Sequence, residues 1–302
     1  MQTVPLTNNF GIEVQGLDLA RELPATQQDM LRTMLHKHQV LLFRKQALDD
    51  KAQIRVLGYF GTVCDEHGDG SYHSYVSNVR ANTIVAQGPL LFHQDYVYTQ
   101  WPLPVQSLYG QEIGGPGVPT TLASCTSAYA KLPSELREQA DRLSAVHCVD
   151  YSQERKNPPD RVRLLEHNPS LPSTSFPRTT HPVSKVHPVT GDPMLFVSEY
   201  FTSHINQLPA QEGEELLQRF FGFLYDPANV YTHNWAEGDL LVWDALAVQH
   251  GRASFGQNSR RTLRRVVVSE RPISDLFIGV DRTDAFYEFD TKGEKRKLKT
   301  HI

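Results

Sequence analysis

Six short segments govern what this chain can become: YVSNV (75–79), LLFHQDYVY (90–98), VQSLYGQEI (105–113), MLFVSEYF (194–201), DLLVWDALAVQH (239–250) and RTLRRVVVSE (261–270). Each is rich in β-branched or aromatic residues and is bounded by Gly, Pro or Asn, as strands on a half-buried pleated surface are. Three other segments carry apolar residues at helical spacing. In 25–38, Thr26 reads as the N-cap with Asp29 in the first turn, and Leu31, Met34 and Leu35 form the stripe. A second helix is predicted from Pro133, and a third over 211–227, with Leu216, Leu217, Phe220, Phe221 and Leu224 on one face and a stop at Pro227. Many short strands with few helices predict a mainly β sandwich or barrel with helices flanking it. No repeat or low-complexity tract divides the chain, so one domain over 1–302 is expected. Residues 151–180, rich in Pro, Ser and charge, form the one long connection and are predicted to be a lid insertion.

At 302 residues the chain can bury a large core without covalent staples. Its 30 basic and 34 acidic residues leave a net charge of −4, a balance that does not advertise the basic face that nucleic acid as the main partner would demand. No apolar run approaches the roughly 20 residues needed to span a bilayer, and the N-terminus lacks the order of a secretory signal. A cytoplasmic protein acting on a small molecule, without nucleic-acid or membrane partners, is the expectation. Cys64, Cys125 and Cys148 show no C-x-x-C spacing and read as reduced packing residues.

The chemistry starts from LLFHQDYVY. If this run is a strand throughout, His93 and Asp95 project to one face and Gln94 to the other. Chance alone supplies about one H-x-D in a chain with 13 histidines, and a second does occur, His67 and Asp69 in the glycine-rich DEHGDGS. Downstream context favours the first. DLLVWDALAVQH reads as a strand running into His250, and His93, Asp95 and His250 together make a 2-His-1-carboxylate set, which leaves open positions on Fe(II). Closed structural zinc wants four ligands and usually sulfur, and no cysteine lies near. In RRTLRR, alternation places Arg261, Leu263 and Arg265 on one face, and Arg260 and Arg264 on the other. Two guanidiniums aimed into an apolar barrel call for anions, so a dicarboxylate ligand is predicted.

At these residues the chain resembles the Fe(II)/2-oxoglutarate-dependent dioxygenases of the taurine dioxygenase and 2,4-dichlorophenoxyacetate dioxygenase (TauD/TfdA) family. The likeness runs from GIEVQGLDL and HKHQVLLFRKQ through YFGTV, FHQD, GGPGVPTTLAS, HPVTGDPMLFV and WDALAVQHGR to RRTLRRV. It implies a double-stranded β-helix, the jelly-roll or cupin-like core, with the metal in its mouth. It further implies His93, Asp95 and His250 as iron ligands, Arg261 and Thr120 (with Thr121 the neighbouring alternative) as 2-oxoglutarate ligands, and Arg265 as the residue that meets an anionic group of the substrate. Fe(II), 2-oxoglutarate and O2 are the implied cofactors. The reaction is then oxidation of a C–H bond in a small, carboxylate-bearing substrate, with release of succinate and CO2. A homodimer or homotetramer is implied as well.

The substrate side departs from the taurine pattern at Pro89 and Tyr96. Tyr96, Tyr72 and His67 are therefore the expected substrate contacts. Two other readings stay open: an oxidative desaturase or tailoring enzyme of amino-acid-derived metabolites on the same fold, favoured by HGRASF, and a non-catalytic jelly-roll binding or sensing protein.

Overall fold

The computed structural model describes residues 1–66, 70–80, 89–148, 178–256 and 258–272, with the backbone of two short strands, Tyr287–Phe289 and Lys295–Lys297. The lid expected over 151–180 lies outside the described residues except for 178–180, which open the strand Arg178–Pro182.

Two sheets face each other. The major sheet has seven strands in the order Gln2–Pro5, Ile12–Gln15, Val40–Phe43, Leu240–Asp244, Val105–Gly114, Arg260–Val268 and Ser74–Ser77. The minor sheet has four, Val230–His233, Thr120–Ser124, Val248–Arg252 and Leu90–His93. Leu42, Leu108, Leu241 and Leu263 from the major sheet meet Leu122 and Val248 from the minor sheet, and Trp243 fills the space between them. Burying each such side chain is worth about 1.5–3 kcal/mol, and together they fix the spacing of the two sheets. This is the expected jelly-roll core.

The helices cover the outside. Ala25–His38 buries Leu31 and Leu35 against the back of the major sheet, near Leu41 and Phe43. Its N-cap is Pro24, not Thr26: the Pro24 carbonyl accepts from the Gln27 and Gln28 amides, and no side chain caps the end. Thr26 thus lies inside the first turn. Ala210–Leu224 buries all five residues of its predicted stripe. Two helices escaped prediction from the sequence, Asp50–Gly58 and Cys125–Ala130, capped by Asp49 and Ser124 respectively.

Thr202–Ile205, Ser144–Cys148 and Arg178–Pro182 form a further sheet, and two buried imidazoles on it, His147 and His181, meet edge-on with ring centroids 5.5 Å apart. His181 Nε2 lies 3.0 and 2.9 Å from the Val97 and Thr99 carbonyls, so that nitrogen carries the proton. Burial, with Lys185 nearby, pushes His181 down to about 4, and burial likewise holds His147 well below its ordinary value. The unfolded chain therefore takes up protons near pH 6.5, before the folded one does, and stability falls as pH drops from about 6.5 towards 4. His181 alone is expected to contribute about 3 kcal/mol to that loss. Denaturant midpoints measured between pH 7.5 and 4.5 check this, and His181→Gln is expected to flatten the slope.

Candidate active site

The mouth of the barrel is built from the ends of strands. Leu90–His93 pairs with Val248–Arg252 so that His93 stands directly opposite His250. Gly251 permits the approach: a Cβ there would come within 2.9 Å of the Leu90 carbonyl oxygen. His93 is buried, and its Nδ1 lies 2.8 Å from the Leu91 carbonyl, which fixes the proton on Nδ1 and leaves the Nε2 lone pair facing the cavity.

Asp95 reaches the same place by a different route from the one alternation predicts. The strand ends at His93, and residues 95–98 form a turn. Gln94 anchors it by donating to the Leu246 carbonyl at 2.6 Å, and the Tyr96 carbonyl accepts from Thr99. Tyr96 itself has φ +57°, a left-handed conformation that costs a bulky residue about 1–3 kcal/mol and persists only where its surroundings enforce it. The turn leaves Asp95 Oδ1 3.4 Å from His93 Nε2 and Asp95 Oδ2 3.9 Å from His250 Nε2. One nitrogen or oxygen from each of the three residues lies within 4.8 Å of the others.

The electrostatics suit a cation. Burial alone would raise Asp95, but Arg265 overrides it and holds the carboxyl well below the usual carboxylate range. Burial pushes His250 down to about 3, helped by His93, so its imidazole is neutral and offers a lone pair. Two imidazoles and one carboxylate, converging without sulfur, are donor types that suit a non-haem ferrous ion.

His250 reaches this position through a break that the sequence pattern does not predict. DLLVWDALAVQH is two strands in different sheets, Leu240–Asp244 and Val248–Arg252. The Asp244 carboxylate makes the corner, accepting from the Leu246 and Ala247 amides. His36, His187 and Asp244 form a second group with metal-like spacing. His187 argues against a metal there: its Nδ1 accepts from the Val189 and Thr190 amides, so its Nε2 must donate to Asp244, 3.0 Å away, and neither nitrogen keeps a lone pair for an ion. The cluster holds the corner that aims His250.

Arg261 and Arg265 share one face of the strand Arg260–Val268, as alternation predicts. The bulge in its pairing falls at Gln111 in the partner strand, so the pattern survives. Arg264 points the other way, to Gln53 and to the Leu48 and Asp49 carbonyls. Arg261 is buried, donates from Nη1 to the Val118 carbonyl at 2.8 Å, and has no partner for Nε among the described residues. Burial, with Arg252 beside it, pushes it down to about 9. Arg252 was not singled out from the sequence; it too is buried, and both guanidiniums lie over the Phe255 ring, 4.3 Å for Arg252 and 5.1 Å for Arg261. Its signal was the same-face position two residues after His250.

Thr120 is buried and its hydroxyl accepts from Trp235 Nε1 at 3.0 Å, which leaves its own proton to donate. It shares a strand face with Leu122 inside the barrel, whereas Thr121 alternates outward. Arg265 is held by Glu66 and, at 3.0 Å, by Asp95. Tyr96 is half-buried and its hydroxyl donates to Glu66. Tyr72 is 43% exposed, away from the interior contacts that the other candidates make. His67 lies outside the described residues, as does Asp69.

A jelly roll with a His-Asp-His mouth and buried arginines behind it is the architecture of a class of oxygenases that depend on iron and a keto acid. The chain belongs to the taurine catabolism dioxygenase TauD, TfdA family, whose model matches residues 2–267. It is 28% identical to an alpha-ketoglutarate-dependent sulfate ester dioxygenase of Pseudomonas putida, over 92% of this chain and 91% of that one. It is 26% identical to the alpha-ketoglutarate-dependent 2,4-dichlorophenoxyacetate dioxygenase of Cupriavidus pinatubonensis, over 86% and 95%. A taurine dioxygenase from Burkholderia xenovorans has the same fold, with a TM-score of 0.73 at 24% identity, covering 97% of this chain and 92% of that one. The protein is accordingly an oxidoreductase, a 2-oxoglutarate-dependent dioxygenase that uses Fe(II) and O2. No helix among the described residues is long and apolar enough to cross a membrane.

Proposed function

We propose that this dioxygenase hydroxylates a C–H bond of a small organic substrate, with His93, Asp95 and His250 holding the iron and Arg261 and Thr120 holding 2-oxoglutarate. The observation that carries the reading is the convergence of the three donor atoms at one barrel mouth. Iron bound there supplies the oxygen activation that couples conversion of 2-oxoglutarate to succinate and CO2 with oxidation of the substrate.

The side chains divide the remaining work. Leu91 orients the His93 ring, burial keeps His250 uncharged, and Arg265 keeps Asp95 ionised. Arg261 offers an unspent Nε–H in a dry setting, where pairing with a carboxylate is strongest. The Thr120 hydroxyl, its lone pair occupied by Trp235, is oriented to donate to that carboxylate. Tyr98 and Tyr200 both pack on Phe201, with the Tyr200 ring 5.4 Å from His93, and both are neutral phenols because burial raises them.

The expectation of a carboxylate on the substrate rested on Arg265, and Glu66 and Asp95 already hold that guanidinium. The relatives named above act on sulfate esters and on a phenoxy acid, and a 25% identical relative from Streptomyces avermitilis is a pentalenolactone F synthase. The test is succinate release from 2-oxoglutarate, with Fe(II), ascorbate and oxygen, over a panel of aromatic, amino and sulfonic acids and uncharged analogues. Stimulation by a compound that gains one oxygen is the expected outcome. A product that has lost two hydrogens supports the desaturase reading instead.

A further inference from the structure

Glu66 stands where neither the metal nor the co-substrate needs a carboxylate. Its side chain is 10% exposed. Oε2 accepts from Arg265 Nη1, and Oε1 accepts from the Tyr96 hydroxyl at 2.8 Å. Arg265, 8% exposed, spends Nη2 on Asp95 at 3.0 Å and directs Nε to Gln106 Oε1 at 3.3 Å. One buried guanidinium is thus shared by two carboxylates, one of them a proposed iron ligand.

We infer that Glu66 is a specificity-determining residue: by holding Arg265 beside Asp95 it closes the space next to the proposed iron ligands to sulfonate, sulfate and carboxylate head groups, and fits the site to a substrate that carries no anion there. The inference rests on the iron reading above and deepens it. An anion approaching Arg265 must either displace Glu66, stranding a buried carboxylate, or join it and Asp95 as a third negative group on one cation; both are unfavourable at low dielectric. Glu66 also holds the Tyr96 ring, so the wall beside Arg265 is a phenol with its proton already donated. The sequence hides this, because Glu66 and Arg265 are 199 positions apart.

The test uses two probes of similar size that differ in charge, methanesulfonate and dimethyl sulfone. The full protein carries Mn(II) in place of iron and N-oxalylglycine in place of 2-oxoglutarate, so nothing turns over. Relaxation of the probe's methyl protons by Mn(II) reports binding beside the metal. The wild-type protein is expected to show no preference for methanesulfonate. Glu66→Gln is expected to raise its affinity about tenfold while leaving dimethyl sulfone unchanged, because the variant removes a like charge and weakens the hold on the guanidinium. Glu66→Ala, with folding checked by thermal melting, is expected to shift preference the same way. A wild-type preference for methanesulfonate, or two folded variants that bind it no better, would overturn the inference. Failure of Mn(II) to bind at all would instead overturn the iron reading, and this inference with it.

Discussion

His93→Ala is expected to abolish succinate release and to weaken Mn(II) or Fe(II) binding by more than about 100-fold, since even loss of a residue that only supports a ligand costs 10–100-fold. The site has no replacement donor among the described residues. His36 and His187 are the other imidazoles in a metal-like cluster, and both are spent on Asp244. Asp95 and His250 would remain, two donors that cannot define the open face of the ion. His93 also lies against Tyr200, Phe201 and His250, with ring centroids 5.4, 5.5 and 4.2 Å away, so the truncation leaves a cavity. A melting curve of the metal-free variant separates that structural cost from loss of the ligand. Metal titration and the succinate assay then test the ligand role itself: turnover equal to wild type in a folded variant removes His93 from the ligand set.

Arg261→Ala is expected to raise the 2-oxoglutarate concentration for half-maximal rate by about 30- to 1000-fold, the range that follows from losing a buried charge-assisted pair worth about 2–4 kcal/mol. Metal affinity is expected to change little, because Arg261 touches none of His93, Asp95 or His250. This contrast is what distinguishes a co-substrate clamp from a general structural role. Should the half-maximal concentration stay put, the clamp lies elsewhere, and Arg252, stacked on the same Phe255 ring, is the next residue to replace. Arg261→Lys is expected to recover only part of the loss, since an ammonium cannot reproduce the fork of a guanidinium.

Where one local period governed a segment, the sequence was a good guide. The stripe in 211–227 turned into the buried face of Ala210–Leu224, and RRTLRR alternated as written, with Arg264 to the helix side and Arg261 and Arg265 to the barrel. The helix Asp50–Gly58 carries a capping signal in Asp49, which accepts from the Ala52 amide, but its apolar stripe is too short to stand out in the sequence. Other segments misled because a run of apolar residues does not show where a strand ends. LLFHQDYVY stops pairing at His93, and DLLVWDALAVQH breaks at Asp244. His93 and Asp95 do converge, but not by the strand alternation that the sequence suggests: a pinned turn brings them together.

The amino-acid sequence alone determined the chemical inventory and the periods: two imidazoles and a carboxylate, arginines alternating into a barrel, and strands short enough to form it. These depend on residue identity and on neighbours a few positions away. Only the tertiary structure decided how the charges are spent. His250 meets His93 across 157 positions because two strands of the minor sheet pair there, and Arg265 meets Glu66 instead of solvent because sheet packing buries both. A buried charge must take whatever counter-charge the fold brings within reach, and that partner can lie anywhere in the chain.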